Sequence, residues 1–350
     1  MIHRLESGGV TPVRERAEPT NSIETQRTDA RPPVAGEDVD YYGVPAIHPP
    51  HWKWLIIAYF YLGGISGAAY VIAAIEERGG NRADVYLLRV ARYISLAALL
   101  PSPVLLILDL GRPKRFFYML RVLKLRSPMS TGTWGLTAFG AFVTLSALMQ
   151  AHEDDLLPSA VSQRVPSRMG SQVIAGVGSL LGLFVAGYTG VLLAATAVPL
   201  WMKRPLLLGP LFLCSAFSTA AAAIELILTM LPRVDPATRN RLARFESVAL
   251  LAEMGVLATW LTRLGSTAQP LTSGAESLVI RHGVVGAGMT LPLLLRALAH
   301  HREKRLGRQL SSVAAVCVLT GGFALRYAIV NGGQASARNP RFTFDLTRGE

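Results

Sequence analysis

The stretch Leu105 to Gly132, LLILDLGRPKRFFYMLRVLKLRSPMSTG, carries the reading of the fold. An apolar run ends in Asp109, Gly111 and Pro113 break the helix, and a basic loop leads to Pro128 and the next apolar run. Asp109 and Arg112 therefore sit where a helix of membrane length would meet its interface. Charges near hydrocarbon are costly, so such groups are more often functional or paired than decorative.

Outward from this corner the chain repeats the same alternation. Its 350 residues are 51% hydrophobic and 17% charged, with a mean hydropathy of +0.35. That is too apolar for an ordinary soluble domain and too long for a single anchor. Eight apolar runs, each about the 20 residues needed to cross ~30 Å of hydrocarbon, fall at 54–76, 86–108, 132–151, 172–197, 206–231, 245–263, 278–299 and 309–330. The sixth carries Glu246 and Glu253 inside it. The sequence thus predicts an all-α, polytopic membrane protein of eight transmembrane helices. YLGGISGAA (Tyr61 to Ala69) and FLCSAFSTA (Phe212 to Ala220) share their placement of small residues, which suits two four-helix bundles, 54–200 and 201–330. Residues 1–53 read as a polar, mostly disordered tail and 331–350 as a short polar tail.

The formal charge of +12 is spread over loops and tails, the pattern of lipid-facing and orienting charge rather than of nucleic-acid binding. Positive loop charge is nearly balanced between the two sides and does not choose an orientation. An even number of spans puts both termini, and the Arg112 to Arg126 loop, on one side.

The chain has two cysteines, Cys214 and Cys317, far apart and both inside spans, whereas an iron–sulfur cluster needs several thiolates at short spacings. Its seven histidines do not form the facing pairs within spans that would hold haem, so neither cofactor is expected in this chain. No phosphate cradle or nucleophile elbow lies in a credible strand–helix context. Any electrons must come from a partner.

The candidates for chemistry are few. Asp109 and Arg112 either brace the turn as an ion pair or exchange protons with a ligand at the mouth of a helix bundle. Tyr188, between Gly187 and Gly190, offers a hydroxyl to a neighbouring helix or to a ligand carbonyl. Glu225, Glu246, Glu253 and Arg326 lie inside spans. Glu246 and Glu253, seven apart, share one helix face. They form a proton path, or else Glu225 or Glu253 pairs with Arg326 to hold the second half together. The glycine-rich stretches Gly63 to Gly67 and Gly283 to Gly288 read as packing faces.

Five motifs in order, WKWLIIAYFYLGGISGAAY (Trp52 to Tyr70), LDLGRPKRF (Leu108 to Phe116), SPMSTGTW (Ser127 to Trp134), YTGVLLAAT (Tyr188 to Thr196) and GGFALRYAIVNGGQ (Gly321 to Gln334), resemble the NrfD/PsrC family of integral membrane subunits of the polysulfide reductase type. The resemblance runs from about Pro50 to Gln334. It implies a quinone- or quinol-binding subunit of the bacterial cytoplasmic membrane. Such a subunit exchanges electrons with a docked ferredoxin-like iron–sulfur protein, itself connected in many complexes to a molybdopterin catalytic subunit. The quinone, menaquinone or ubiquinone, is an exchangeable substrate. By motif Tyr188 would contact it through a carbonyl oxygen, with Asp109 and Arg112 at the mouth of a pocket among the first four spans. Some relatives carry a polar side chain early in the first span, where this chain has Ile56.

Two other readings use the same residues. A transporter or proton channel without redox role would rely on the carboxylates of the fifth and sixth spans. A passive membrane anchor would only hold a peripheral enzyme. The terminal substrate, the direction of electron flow and any proton pumping would be decided in other subunits or at the complex level.

Overall fold

The computed structural model describes residues 50, 52–79, 85–110, 118, 120–158, 168–231, 234–300, 304–339 and 342. The N-terminal tail through residue 49 and Arg112 lie outside the described residues. All regular structure among the described residues is helical, and eight helices are long and apolar enough to cross a membrane: Trp54–Gly79, Val85–Asp109, Pro128–Glu153, Gln172–Ala194, Pro205–Met230, Pro236–Thr272, Ala275–Ala299 and Arg305–Arg338. The protein is a multi-pass integral membrane protein. Leu180, Leu206, Val248 and Leu294 point outward, as hydrocarbon-facing side chains do.

Local sequence explains where these helices start and bend. Pro128, Pro205 and Pro236 occupy first-turn positions, where a missing N–H costs nothing. Ser127 and Asp235 cap two of these helices by accepting from the amides of Ser130 and Ala237. Pro101 divides the second span into Val85–Leu99 and Pro101–Asp109. Val279–Thr290 of the seventh span is wound as a π-helix, and the backbones of Gly288 and Gly321 approach so closely that a side chain at either would collide. Gly67 and Gly182 bring the first and fourth helices together in the same way. Both glycine-rich stretches are thus packing faces.

The first helix is the most buried of the eight and touches the second, fourth, fifth and eighth spans. The second packs on the third, the third on the fourth, the fourth on the fifth, the fifth on the sixth and eighth, and the seventh on the eighth. Ends alternate sides, so the start of the first helix, the 110–127 connection and the end of the eighth share one side. On the opposite side, the buried Arg92 guanidinium meets Glu77 at 2.9 Å, Gln150 at 3.0 Å and Glu153 at 3.5 Å, and Arg89 meets Asp154 at 2.5 Å. These contacts tie together the ends of the first three spans.

Two spans, the sixth and the eighth, run well beyond expectation. The sixth helix begins at Pro236, nine residues before the apolar run, because Asp235 caps it and Leu242 is already buried. The eighth continues to Arg338, past the polar tail expected from 331, because its polar residues have partners inside the fold. Gln334 Nε2 donates to the Trp52 carbonyl at 2.5 Å, and Ser336 Oγ accepts from the Leu200 amide at 3.3 Å. Trp201 packs so close to Gly333 that a Cβ there would collide with its indole, and it donates to the Ile329 carbonyl at 3.0 Å.

Candidate functional site

On the side that holds the start of the first helix, the ends of the first four spans line an open cleft. The first span contributes Trp52, Ile56 and Tyr59, and the second contributes Leu106, Asp109 and Leu110. Met129, Gly132 and Thr133 come from the third, Tyr188 and Leu192 from the fourth. An apolar cavity with a few convergent polar groups is the usual form of a small-molecule site.

Each polar group in the cleft has a definable chemical capacity. Asp109 ends its helix half-buried, and among the described residues the cation within electrostatic range of it is Lys53. The Tyr188 hydroxyl donates to the Pro128 carbonyl at the start of the third helix. Its single proton is thereby engaged, and its remaining capacity is as an acceptor. The ring lies against Gly132, where a Cβ would collide with it, and against Phe184 at 4.7 Å between centroids. Thr133 returns its hydroxyl to the Met129 carbonyl at 2.9 Å. Ile56, 4% exposed, makes that wall apolar.

Sequence reasoning passed over Tyr59. It is buried, lines the cleft and stands near enough to Tyr188 for their hydroxyls to interact. The signal was available, because Tyr59 is three residues from Ile56 and so on the same helix face.

The ionisable residues of the later spans form two buried groups. In the first, Arg326, with no exposed surface, donates through Nη1 to Ser215 Oγ at 3.0 Å and to the Gly322 carbonyl at 2.8 Å, and lies over the rings of Tyr61 and Phe212. Glu253 accepts from Ser218 Oγ at 2.7 Å and also meets the Ser215 hydroxyl. Glu253 and Arg326 therefore communicate through serines rather than by direct pairing.

In the second group, Glu225 and Glu246 both meet Arg296, a residue the sequence reading did not single out. Arg296 donates to Glu246 through Nε at 3.2 Å and Nη2 at 2.5 Å. Its Nη1 lies 2.6 Å from Glu225 Oε2, an ionic contact rather than an aligned hydrogen bond. Glu225 thus pairs with Arg296 in the seventh span and not with Arg326 in the eighth. Neither group reaches the cleft directly.

The family model described as "Polysulphide reductase, NrfD" matches residues 45–337. The protein named NrfD of Escherichia coli is 26% identical over 312 residues, spanning 81% of this chain and 95% of its own. The C subunit of polysulfide reductase from Wolinella succinogenes is 27% identical over 302 residues, spanning 81% of this chain and 94% of its own.

Proposed function

The chain belongs to the NrfD polysulphide reductase family, and from that premise we propose that it is the quinone-reactive membrane subunit of an oxidoreductase complex of the bacterial cytoplasmic membrane. It passes electrons between the quinone pool and a ferredoxin-like iron–sulfur partner docked on the cleft side. Further electron transfer to a molybdopterin catalytic subunit would take place outside this chain. One observation carries this reading: Asp109 and Tyr188, from spans far apart in sequence, face the same apolar cleft at one membrane boundary.

The residues fit a quinone, menaquinone or ubiquinone, whose flat headgroup needs apolar walls and whose two oxygens need partners for two protons. Trp52, Ile56, Leu106 and Leu192 supply the walls. Oxidation of a quinol releases two electrons and two protons. Asp109, at the mouth, accepts the two protons from the quinol oxygens one after the other, returning each to water, while the two electrons pass to the iron–sulfur partner; in the reducing direction it donates protons in turn. Lys53, and Arg112 by the sequence reading, bias that carboxyl electrostatically. Tyr188 serves first as an acceptor for a quinol O–H; donation to a quinone carbonyl requires it to release Pro128.

The same reading extends to a proton path through the second bundle, 201–330. It would run from Arg326 through Ser215 and Ser218 to Glu253, then two helical turns, about 10.5 Å, to Glu246 and Glu225. Water would have to bridge that last interval.

Titrating the purified protein with a menaquinone analogue tests the proposal. Saturable binding, weakened in Tyr188→Phe and Asp109→Asn, is the expected result; absence of binding would sink it. Quinone turnover that survives both substitutions in the assembled complex would favour the anchor reading. The buried carboxylates favour a second reading, a proton channel without redox role. Proton uptake by liposomes holding this chain alone, indifferent to the quinone analogue, would select it.

A further inference from the structure

Two carboxyl groups and one guanidinium lie together below the surface of the later spans. Glu225 is 2% exposed, Glu246 has no exposed surface and Arg296 is 8% exposed. Arg296 holds both acids, and the two carboxyl groups also meet each other within hydrogen-bonding reach. An ionised carboxylate can only accept, so two of them cannot bond to one another; a carboxyl–carboxyl contact requires a proton on one partner. Charge balance leads to the same answer. Two carboxylates against one guanidinium would leave an uncompensated negative charge in a dry interior, while one added proton leaves a neutral cluster.

We propose that Glu225 and Glu246 share a single exchangeable proton, held beside Arg296, and that this binding site opens toward the membrane side opposite the cleft. Glu225 lies five residues before the end of the fifth helix at Met230, about 7.5 Å along its axis, and Arg296 lies four residues before His300 at the end of the seventh. Other cations stand toward that surface. Arg239 of the sixth helix is in electrostatic range of Glu225, and Arg308 of the eighth is in range of Arg239. Arg239 directs its guanidinium to the carbonyls of Leu228 and Leu231, both at 2.9 Å, which complement its charge at the fifth helix's end. Arg296 is left as the counter-ion of the acid pair. The site deepens the proton path in the proposed function, but a chain that binds no quinone would carry the same proton. Different measurements therefore decide the two.

Infrared spectroscopy of the full chain in an ester-free detergent at neutral pH tests it. The wild type should show a carboxylic-acid C=O band that moves on exchange into D2O and on carbon-13 labelling of glutamate. Glu225→Gln and Glu246→Gln should each remove the same component, because either change leaves one carboxylate for one guanidinium and no need of the proton. Arg296→Met should roughly double it, since both acids then hold a proton. Loss in only one of the two Gln variants means an ordinary isolated acid and overturns the sharing. A labelled wild-type spectrum without any protonated-glutamate band overturns the proposal and requires no variant to fold.

Discussion

The cleft and the interior of the later spans hold similar residue types but use them differently. In the interior, Glu225, Glu246 and Glu253 have partners from other helices, and Arg296 and Arg326 are each held by several oxygens. In the cleft, Asp109 is half-buried at a helix end and Tyr188 keeps acceptor capacity toward open space. Groups paired across helices fix those helices against one another. Groups with unused hydrogen-bonding capacity at a membrane boundary are available to a ligand. Removing a partner should therefore damage stability in the interior and function in the cleft.

The largest expected effect is in the interior. Arg296→Met removes the counter-charge of the acid pair, forces both acids to hold a proton in the interior, and should cost about 3–5 kcal/mol, the usual consequence of breaking a buried ionic group. Thermal unfolding in detergent measures it, and adding Glu225→Gln and Glu246→Gln to the same protein should restore most of the loss. An Arg296→Met protein as stable as wild type would place this cluster with the loosely held charges. In the cleft, Asp109→Asn should leave the melting temperature within error and slow quinone turnover by the assembled complex about 100-fold, the lower end of general acid–base assistance. The contrast fails if the melting temperature falls and turnover does not.

Hydrophobic length made the helical fold legible, and the even number of spans put the start of the first helix and the end of the eighth on one side. The cleft was partly legible, because LDLGRP and YTG mark helix ends that must come to one membrane face. The partners of the interior charges were not. Arg296, within LPLLLRALAH, has no acidic residue in that segment, and Glu225 and Glu246 belong to two other helices. Periodicity assigns a face to each residue but not the helix that face meets. The extension of the last helix escaped for a related reason: NGGQASAR is polar enough to read as a tail, yet Gln334 and Ser336 find backbone partners at Trp52 and Leu200.

A smaller effect separates shape from chemistry inside the cleft. Gly132→Ala puts a methyl group into the Tyr188 ring, an overpacking of about 1–3 kcal/mol if the ring cannot move. The ring borders open space, so it should move instead. Affinity for a menaquinone analogue is then expected to fall about tenfold, in line with that energy range, with little change in melting temperature. A large stability loss with unchanged affinity would show that Tyr188 is fixed packing rather than a mobile wall of the site.

Tyr188→Phe should have the mildest effect and discriminates most finely. The Pro128 carbonyl also faces the Gly132 amide one turn along its own helix, so losing the tyrosine proton leaves no buried acceptor stranded. Stability should hardly change. The ligand, however, loses an acceptor for a quinol O–H, worth about 0.5–1.5 kcal/mol, a two- to tenfold weakening. Because the hydroxyl already donates to Pro128, that weakening should be greater for a quinol analogue than for the matching quinone. Equal losses for both would mean that Tyr188 turns away from Pro128 to donate to whichever ligand is bound. No loss for either would place its hydroxyl with the cross-helix pairs of the interior and leave Asp109 as the cleft's reactive residue.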